Sequence, residues 1–193
     1  MVIWPIAVMA AVIISQRLIE LAVAERNRRW SLSHGAQEYG AGHYRLFFIL
    51  HAGWLIGWII ESSKAGRLSE FWPGWLALFI CAQLLRYWCI ACLGNCWNTR
   101  ILVIPGLTTV KRGPYRWLKH PNYLAVAIEL AAVPLVFGAI KTAVIATVGN
   151  AALLLFIRIP EEERALKLLS DLNFSENKGK QLEDSEQELQ RET

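Results

Sequence analysis

The chain has 193 residues, 54% of them hydrophobic and nine of them tryptophan, with a formal net charge of +4. At that length a single domain is expected, and several apolar runs approach the ~20 residues that a bilayer-spanning helix needs. Those runs lack the polar face of a soluble bundle helix, so the class is an all-α, polytopic integral membrane protein with about five transmembrane helices. The charge is unevenly spread: no acidic residue occurs between Glu70 and Glu129, whereas Arg86, Arg100, Lys111, Arg112, Arg116 and Lys119 do. A membrane-side loop obeying the positive-inside tendency explains this more simply than nucleic-acid binding.

The first expected span runs from about Val2 to Val23. It has neither a basic n-region nor a small-residue cleavage site, so it reads as a span and not as a signal peptide. Arg17 and Glu20 lie one turn apart near its end and can pair. The cluster Glu25-Arg26-Asn27-Arg28-Arg29-Trp30 follows, then a glycine-containing loop to Gly42. A second span covers Tyr44 to Ile60 and carries His51, read as a buried histidine with a backbone or aromatic neighbour. After the loop Glu61–Glu70, Phe71-Trp72-Pro73-Gly74-Trp75 marks the return into the membrane, with tryptophans at interfacial depth. A third span reaches about Leu93 and contains Gln83 and Arg86. Cys89, Cys92 and Cys96 share one face of it, but free cysteine commonly acts as a small buried hydrophobe. No histidine or carboxylate lies close enough to complete a metal site, so none is assigned.

Asn95 to Lys119 cannot span. Within it, Ile101-Leu102-Val103-Ile104-Pro105-Gly106 is a short apolar piece ended by a turn, expected to dip into the interface. Two further spans, Pro121 to about Phe137 and Ala143 to about Ile159, form a helical hairpin joined by Gly138-Ala139-Ile140-Lys141. The two basic loops fall on one side of a five-span chain, which puts them in the cytoplasm with the C-terminal tail and leaves the N-terminus outside. From about residue 172 to 193 the chain is polar and expected to be a disordered cytoplasmic tail. Residues 1–171 form the membrane domain, with the chemistry in about 95–171.

The chemistry concentrates in two stretches. In Lys111–Leu130, Gly113-Pro114 marks a turn, and proline after His120 favours an extended backbone there. Pro121 suits the first position of a helix. His120 thus stands at a helix N-terminus, which favours an anionic ligand group, with Tyr115, Trp117 and Tyr123 nearby. In Phe156–Leu166, Arg158 and Glu162 lie four apart on one helix face, and Pro160 should kink the helix and free a backbone carbonyl. Glu129, about two turns into the fourth span, must face protein or a polar cavity. A pair with Arg86 and a ligand-contacting position are both open.

Gly113-Pro114-Tyr115-Arg116-Trp117-Leu118-Lys119-His120-Pro121-Asn122-Tyr123, followed by the hairpin and then Arg158-Ile159 with Glu162-Glu163, resembles the isoprenylcysteine carboxyl methyltransferase family. It is similar in particular to the short bacterial members that include alkylpyrone O-methyltransferases. The resemblance implies an integral membrane methyltransferase that uses S-adenosylmethionine without a Rossmann domain, and no glycine-rich fingerprint is present. It further implies that Tyr115, His120, Pro121, Asn122, Tyr123 and Glu162 contact the cofactor and that Arg158 binds the acceptor oxyanion; with an acceptor entering sideways from the bilayer, Glu129 is a candidate to line its cavity. The partner so implied is a lipophilic small molecule dissolved in membrane lipid. The sequence departs from the pattern where a histidine-containing segment gives way to Leu107-Thr108-Thr109-Val110, and where Lys119 replaces an arginine and loses its bidentate fork. Two other readings stand beside this one. An NADPH-dependent sterol-type reductase would use Lys111, Arg112 and Arg116 for a phosphate but lacks the matching C-terminal motif. A non-catalytic scaffold leaves Arg158 and Glu129 unexplained.

Overall fold

A computed structural model describes residues 3–107 and 110–168; the polar tail expected from residue 172, and Thr108-Thr109, lie outside the described residues. Among the described residues the fold is all-α apart from one short strand pair. Helix α1 (Ile3–Ser33) is longer than the apolar run suggests. The cluster Glu25–Trp30 continues it, because those residues are adequate helix formers and Arg29 Nε pairs with Glu25 Oε1 one turn back at 3.0 Å. Helix α2 (Tyr44–Ala65) ends on Gly66 at φ +65°, whose N–H donates to Ser62 O, the left-handed cap that glycine alone adopts without strain. Helix α3 (Trp72–Leu93) starts with Pro73 in its first turn. Helix α4 (Pro121–Val136) and helix α5 (Ile140–Leu153) form the expected hairpin.

Among the described residues, four helical segments are long and apolar enough to cross a bilayer: Ile3–Ser33, Ala41–Ala65, Trp72–Cys96 and Ile140–Leu168. The fifth expected span, α4, has 16 residues, about 24 Å of helix against the ~30 Å hydrocarbon core. It is short because Pro134 and the Phe137-Gly138 turn stop it, and it is enclosed by its neighbours. Ala125, Glu129, Leu130, Ala132 and Val133 are fully buried in it, between α3 and α5. The apolar core on its far half joins Trp54, Trp58, Phe79, Leu130, Val133 and Phe137, with the Trp58 and Phe137 rings stacked 5.4 Å apart. By contrast Phe48, Ile145, Val148 and Phe156 point outward and are exposed, as side chains facing lipid should be.

The hairpin end is clamped from α2. The Glu61 carboxylate accepts hydrogen bonds from Lys141 N at 3.0 Å, Thr142 N at 2.9 Å and Thr142 Oγ1 at 2.7 Å. It therefore satisfies the open N–H groups at the start of α5 and complements the helix dipole.

At the opposite end, the segment expected to dip into the interface forms a strand instead. Strand β1 (Gln37–Tyr39) pairs antiparallel with strand β2 (Ile101–Val103), Glu38 opposite Leu102. Glu38 binds Arg100 at 2.5 Å and Arg28 at 3.4 Å. Burial alone would raise the Glu38 carboxyl pKa, but Arg100, then Arg28, hold it below its ordinary value. Ile101 and Val103 pack on Ala165, so the strand pair leans against the helix that leaves the bilayer. Asn27 Nδ2 donates to Trp97 O at 2.8 Å and Asn98 Nδ2 to Ala24 O at 2.9 Å, tying α1 to the connection after α3.

The middle of the bundle holds charge. Arg17 binds Glu20 at 2.7 Å and Glu129 at 2.6 Å; Arg86 binds Glu20 at 3.2 Å and also Glu129. Gln16 Nε2 donates to Glu20 Oε1 at 2.9 Å and to Gln83 Oε1 at 2.5 Å. Two guanidinium groups thus neutralise two carboxylates in a ring across α1, α3 and α4. Such pairing is what makes ionised groups tolerable at membrane depth.

Candidate functional site

The helix that carries Arg158 does not arrive there as an α-helix. Leu154–Arg158 forms a π turn, in which the Ile159 N–H reaches Leu154 O. Pro160 explains it: a prolyl nitrogen has no N–H to return to the carbonyl four residues back, and a widened turn accommodates the defect. Beyond it the helix continues through Glu162 to residue 168.

His120 is the cap of α4, at φ −131° and ψ 61°, with Pro121 in the first turn. The Gly113–Arg116 segment is a 3₁₀ turn in which Gly113 has φ +57°, and a Cβ there would run into the Cys92 thiol and the Trp88 indole. The loop can lie this close to α3 only with glycine at that point.

These elements bring the two motifs together. Tyr123 OH donates to Glu162 Oε2 at 2.5 Å. Arg158 Nε donates to the Tyr123 oxygen at 3.2 Å, and Arg158 Nη2 to Thr99 O at 3.0 Å. The His120 ring stacks on Tyr123 with centroids 5.2 Å apart, and its Nδ1 lies 3.9 Å from Glu162 Oε2. Lys119 Nζ reaches Glu163 Oε1 at 2.5 Å, a second tie between loop and helix that a single ammonium provides. Arg158 Nη1 has no partner among the described residues.

Two cavities meet at this cluster. One, of about 480 Å³, is lined by Arg100, Leu102, Lys111, Tyr115, His120, Glu162 and their neighbours. The other, of about 420 Å³, lies among α1, α2, α4 and α5 and is lined mainly by apolar groups such as Leu18, Phe47, Leu55 and Val126, with Arg17, Glu20, His51 and Arg86 also in its wall. Trp97, Asn98, Asn122, Tyr123 and Arg158 line both. Each volume is in the range of small-molecule sites, roughly 300–1,000 Å³. Burial raises the Tyr115 hydroxyl pKa well above its usual value, and the adjacent Cys89 thiol adds to this, so Tyr115 faces the first cavity as a neutral phenol. Two buried polar atoms there, His120 Nε2 and Asn122 Oδ1, have no partner among the described residues. Among the described residues no group of histidine, cysteine and carboxylate side chains is arranged to hold a metal.

The isoprenylcysteine carboxyl methyltransferase (ICMT) family model matches residues 75–168, the segment that supplies nearly every residue of this cluster. An uncharacterized protein YpbQ of Bacillus subtilis is 39% identical over 158 residues, covering 81% of this chain and 94% of that one. The chain belongs to the isoprenylcysteine carboxyl methyltransferase family. It is a membrane methyltransferase. An uncharacterized protein of Haemophilus influenzae is 27% identical over 161 residues, 82% of this chain and 93% of that one. No solved structure matches the chain significantly.

Of the residues singled out from sequence, Tyr115, His120, Asn122, Tyr123, Arg158 and Glu162 lie together around the first cavity. Pro121 is buried and does not line it; it sets the backbone on which His120 and Tyr123 stand. Trp117, grouped with the site aromatics by proximity, is 70% exposed and packs edge-on against Trp88 at 6.2 Å, away from both cavities. Glu129 lines neither cavity; of its two open readings, the structure gives the ion pair with Arg86 and adds Arg17. Thr99, Asn98 and Trp97 also belong to the site wall and carry no signal in the sequence. They sit in a loop without periodicity, and only the Asn27 and Asn98 side-chain bonds to backbone explain why that loop is held in the wall.

Proposed function

We propose that this methyltransferase uses S-adenosylmethionine to methylate an oxygen of a lipophilic, membrane-dissolved acceptor with a carboxylate or an acidic enol or phenol head. A long-chain alkylpyrone or a related alkyl phenolic lipid is favoured, on the resemblance to the bacterial alkylpyrone branch, with a prenylcysteine carboxylate as the other candidate. The observation that carries the reading is the shared wall: a polar cavity and an apolar cavity meet at Arg158 and Tyr123. The residues of the polar cavity fit the cofactor. The unpartnered His120 Nε2 and Asn122 Oδ1 offer hydrogen bonds to a polar ligand, and the Glu162 carboxylate offers a counter-charge to a cationic one. When bound, S-adenosylmethionine supplies a methyl group on a sulfonium, an electrophile that an aligned anionic oxygen can attack directly.

What the chain must then do is position. Arg158 holds the acceptor oxygen through its open Nη1, while its bonds to Tyr123 and Thr99 fix the guanidinium plane. Tyr123 donates its proton to Glu162, which fixes its ring and leaves its oxygen facing Arg158. An ionised carboxylate or enolate needs no strong base, so the rate advantage rests on orientation and on the charge of Arg158 in a water-poor wall. The acceptor tail occupies the apolar cavity, whose edge at Ile14, Leu18 and Phe48 is exposed to lipid. We place the protein in the cell membrane, N-terminus outside and polar cavity on the cytoplasmic side, on the strength of the basic loops.

The test is calorimetric binding of S-adenosylmethionine to detergent-purified protein, with Glu162→Ala and Tyr123→Ala alongside. Saturable binding that both variants lose supports the reading. Folded protein that binds no S-adenosylmethionine overturns it.

A further inference from the structure

The loop before α4 carries more positive charge than the cluster around Arg158 uses. Lys111, Arg112, Arg116 and Lys119 are all exposed. Lys119 is spent on Glu163, whereas the other three make no ion pair among the described residues. Two of those three are held in place. Arg112 Nε donates to Cys92 O at 2.9 Å, on the last turn of α3, and neither Arg112 Nη group has a partner among the described residues. The Arg116 guanidinium lies over the Trp117 ring, 5.7 Å from its centroid, a contact that tryptophan favours. Trp117 itself packs edge-on against Trp88, and the Gly113 backbone sits so close to Trp88 that a Cβ there would fall 2.9 Å from the indole nitrogen. Trp88 in turn tops an outward stripe of α3: Ile80, Leu84, Tyr87 and Trp88 recur at helical spacing and are exposed.

Toward the C-terminal end of α3, an apolar stripe, a pair of indoles and a set of cations without counter-charge therefore follow one another. A phospholipid has its parts in the same order: acyl chains, a glycerol interface and a phosphate. Tryptophan prefers that interface, and the guanidinium fork matches phosphate oxygens. We infer that this corner binds one anionic phospholipid, its phosphodiester held by Arg112 and Arg116 and its acyl chains lying along the α3 stripe. A zwitterionic head brings its own cation next to the phosphate, which these arginines repel, so the fitting head carries net negative charge, as phosphatidylglycerol does. A soluble polyanion would meet the cations but has no use for the stripe below them. The inference rests on the chain lying in a bilayer and is independent of methyl transfer.

The test titrates phosphatidylglycerol and phosphatidylcholine with identical acyl chains into the detergent-purified full-length protein, and counts bound lipid by native mass spectrometry. Wild type should take one phosphatidylglycerol about twentyfold more tightly than phosphatidylcholine, because each basic residue near an anionic head contributes about fivefold. Arg112→Gln and Arg116→Gln should each lower that preference about fivefold, and the double variant should bring it near parity. Arg26→Gln is the charge-matched control. Arg26 is exposed at the same end of the bundle, where the neighbouring Asn27 side chain bonds Gly94 O at 3.1 Å, and its loss should leave the preference unchanged. Equal affinity of wild type for both lipids, or a preference that survives in the double variant, overturns the inference. A fall in Arg26→Gln as large as in Arg116→Gln also overturns it, because diffuse surface charge would then suffice. So does displacement of the lipid by an equal concentration of free glycerol phosphate, because the α3 stripe would then contribute nothing.

Discussion

Two clusters in this bundle are made of the same residue types. One lies at mid-depth, where Arg17 and Arg86 hold Glu20 and Glu129; the other lies at the polar end, where Arg158, Tyr123, Glu162 and His120 meet. They differ in what is left over. In the first, each of the four charges is matched by two opposite ones; Glu129 at its centre reaches no cavity, while Arg17, Glu20 and Arg86 stand in the wall of the apolar one with their charges neutralised and, of their buried polar atoms, only Arg86 Nε unpartnered among the described residues. In the second, among the described residues, Arg158 has one carbonyl and one hydroxyl as partners and an open Nη1, His120 has an orphan nitrogen, and two cavities adjoin. A closed ring of charges is architecture. A cluster whose guanidinium has no carboxylate partner among the described residues, set where two cavities meet, is a site.

That contrast breaks first at Glu129. Glu129→Ala should leave the buried Arg86 and the half-buried Arg17 short of a counter-charge and destabilise the fold by about 3–5 kcal/mol, seen as a large fall in melting temperature or a loss of folded yield in detergent. Arg158→Gln should do the opposite, keeping the melting temperature near wild type and S-adenosylmethionine affinity intact. Methyl transfer should fall by about 10²–10³-fold, the scale of losing one charge-stabilising donor, in a single-turnover assay. If Arg158→Gln unfolds the protein instead, the two clusters are alike and the contrast fails. Tyr123→Phe removes the hydroxyl between Glu162 and Arg158 without changing volume; it should cost about tenfold in turnover, the effect of one lost hydrogen bond, with little change in stability.

The smallest effect sharpens the comparison at the strand pair. Arg100 and Arg28 hold the Glu38 carboxyl below its ordinary pKa, so Glu38 contributes stability that is fully present above the unfolded-state value, about 4.3. That contribution is lost as pH falls through the lower folded-state value. The melting temperature of Glu38→Gln should therefore lie slightly below wild type at pH 7 and converge with it as the pH drops below about 4.

Much of the polar cluster was legible because its members lie in two short stretches. His120-Pro121 signals a capped helix start, and the spacing from Arg158 to Glu162 puts both on one face across a hairpin. Arg17 with Glu20, and Glu129 with Arg86, were each legible as pairs. That they are one ring was not, since Arg17 and Glu129 stand 112 positions apart and no local pattern joins them. The strand pair was hidden for another reason: three residues carry no period, so Ile101–Val103 reads as any apolar patch. The length of α4 was partly visible in Pro134, but hydropathy cannot tell a lipid-facing helix from one enclosed by other helices. Trp117 misled because closeness in sequence to Tyr115 does not imply a shared face.

The π turn at Leu154–Arg158 acts as a phase shifter. An ordinary turn there would carry the lipid-facing stripe of α5, through Ile145 and Val148 to Leu155 and Phe156, on in step with the residues beyond. The wider turn inserts about one residue's worth of rotation, so the rotational settings before and after it are decoupled. Substitutions that tune how α5 meets the bilayer can accumulate upstream without turning Arg158 or Glu162 off the seam. A single-residue deletion inside the turn would re-lock the two settings and swing the whole downstream face around the helix axis.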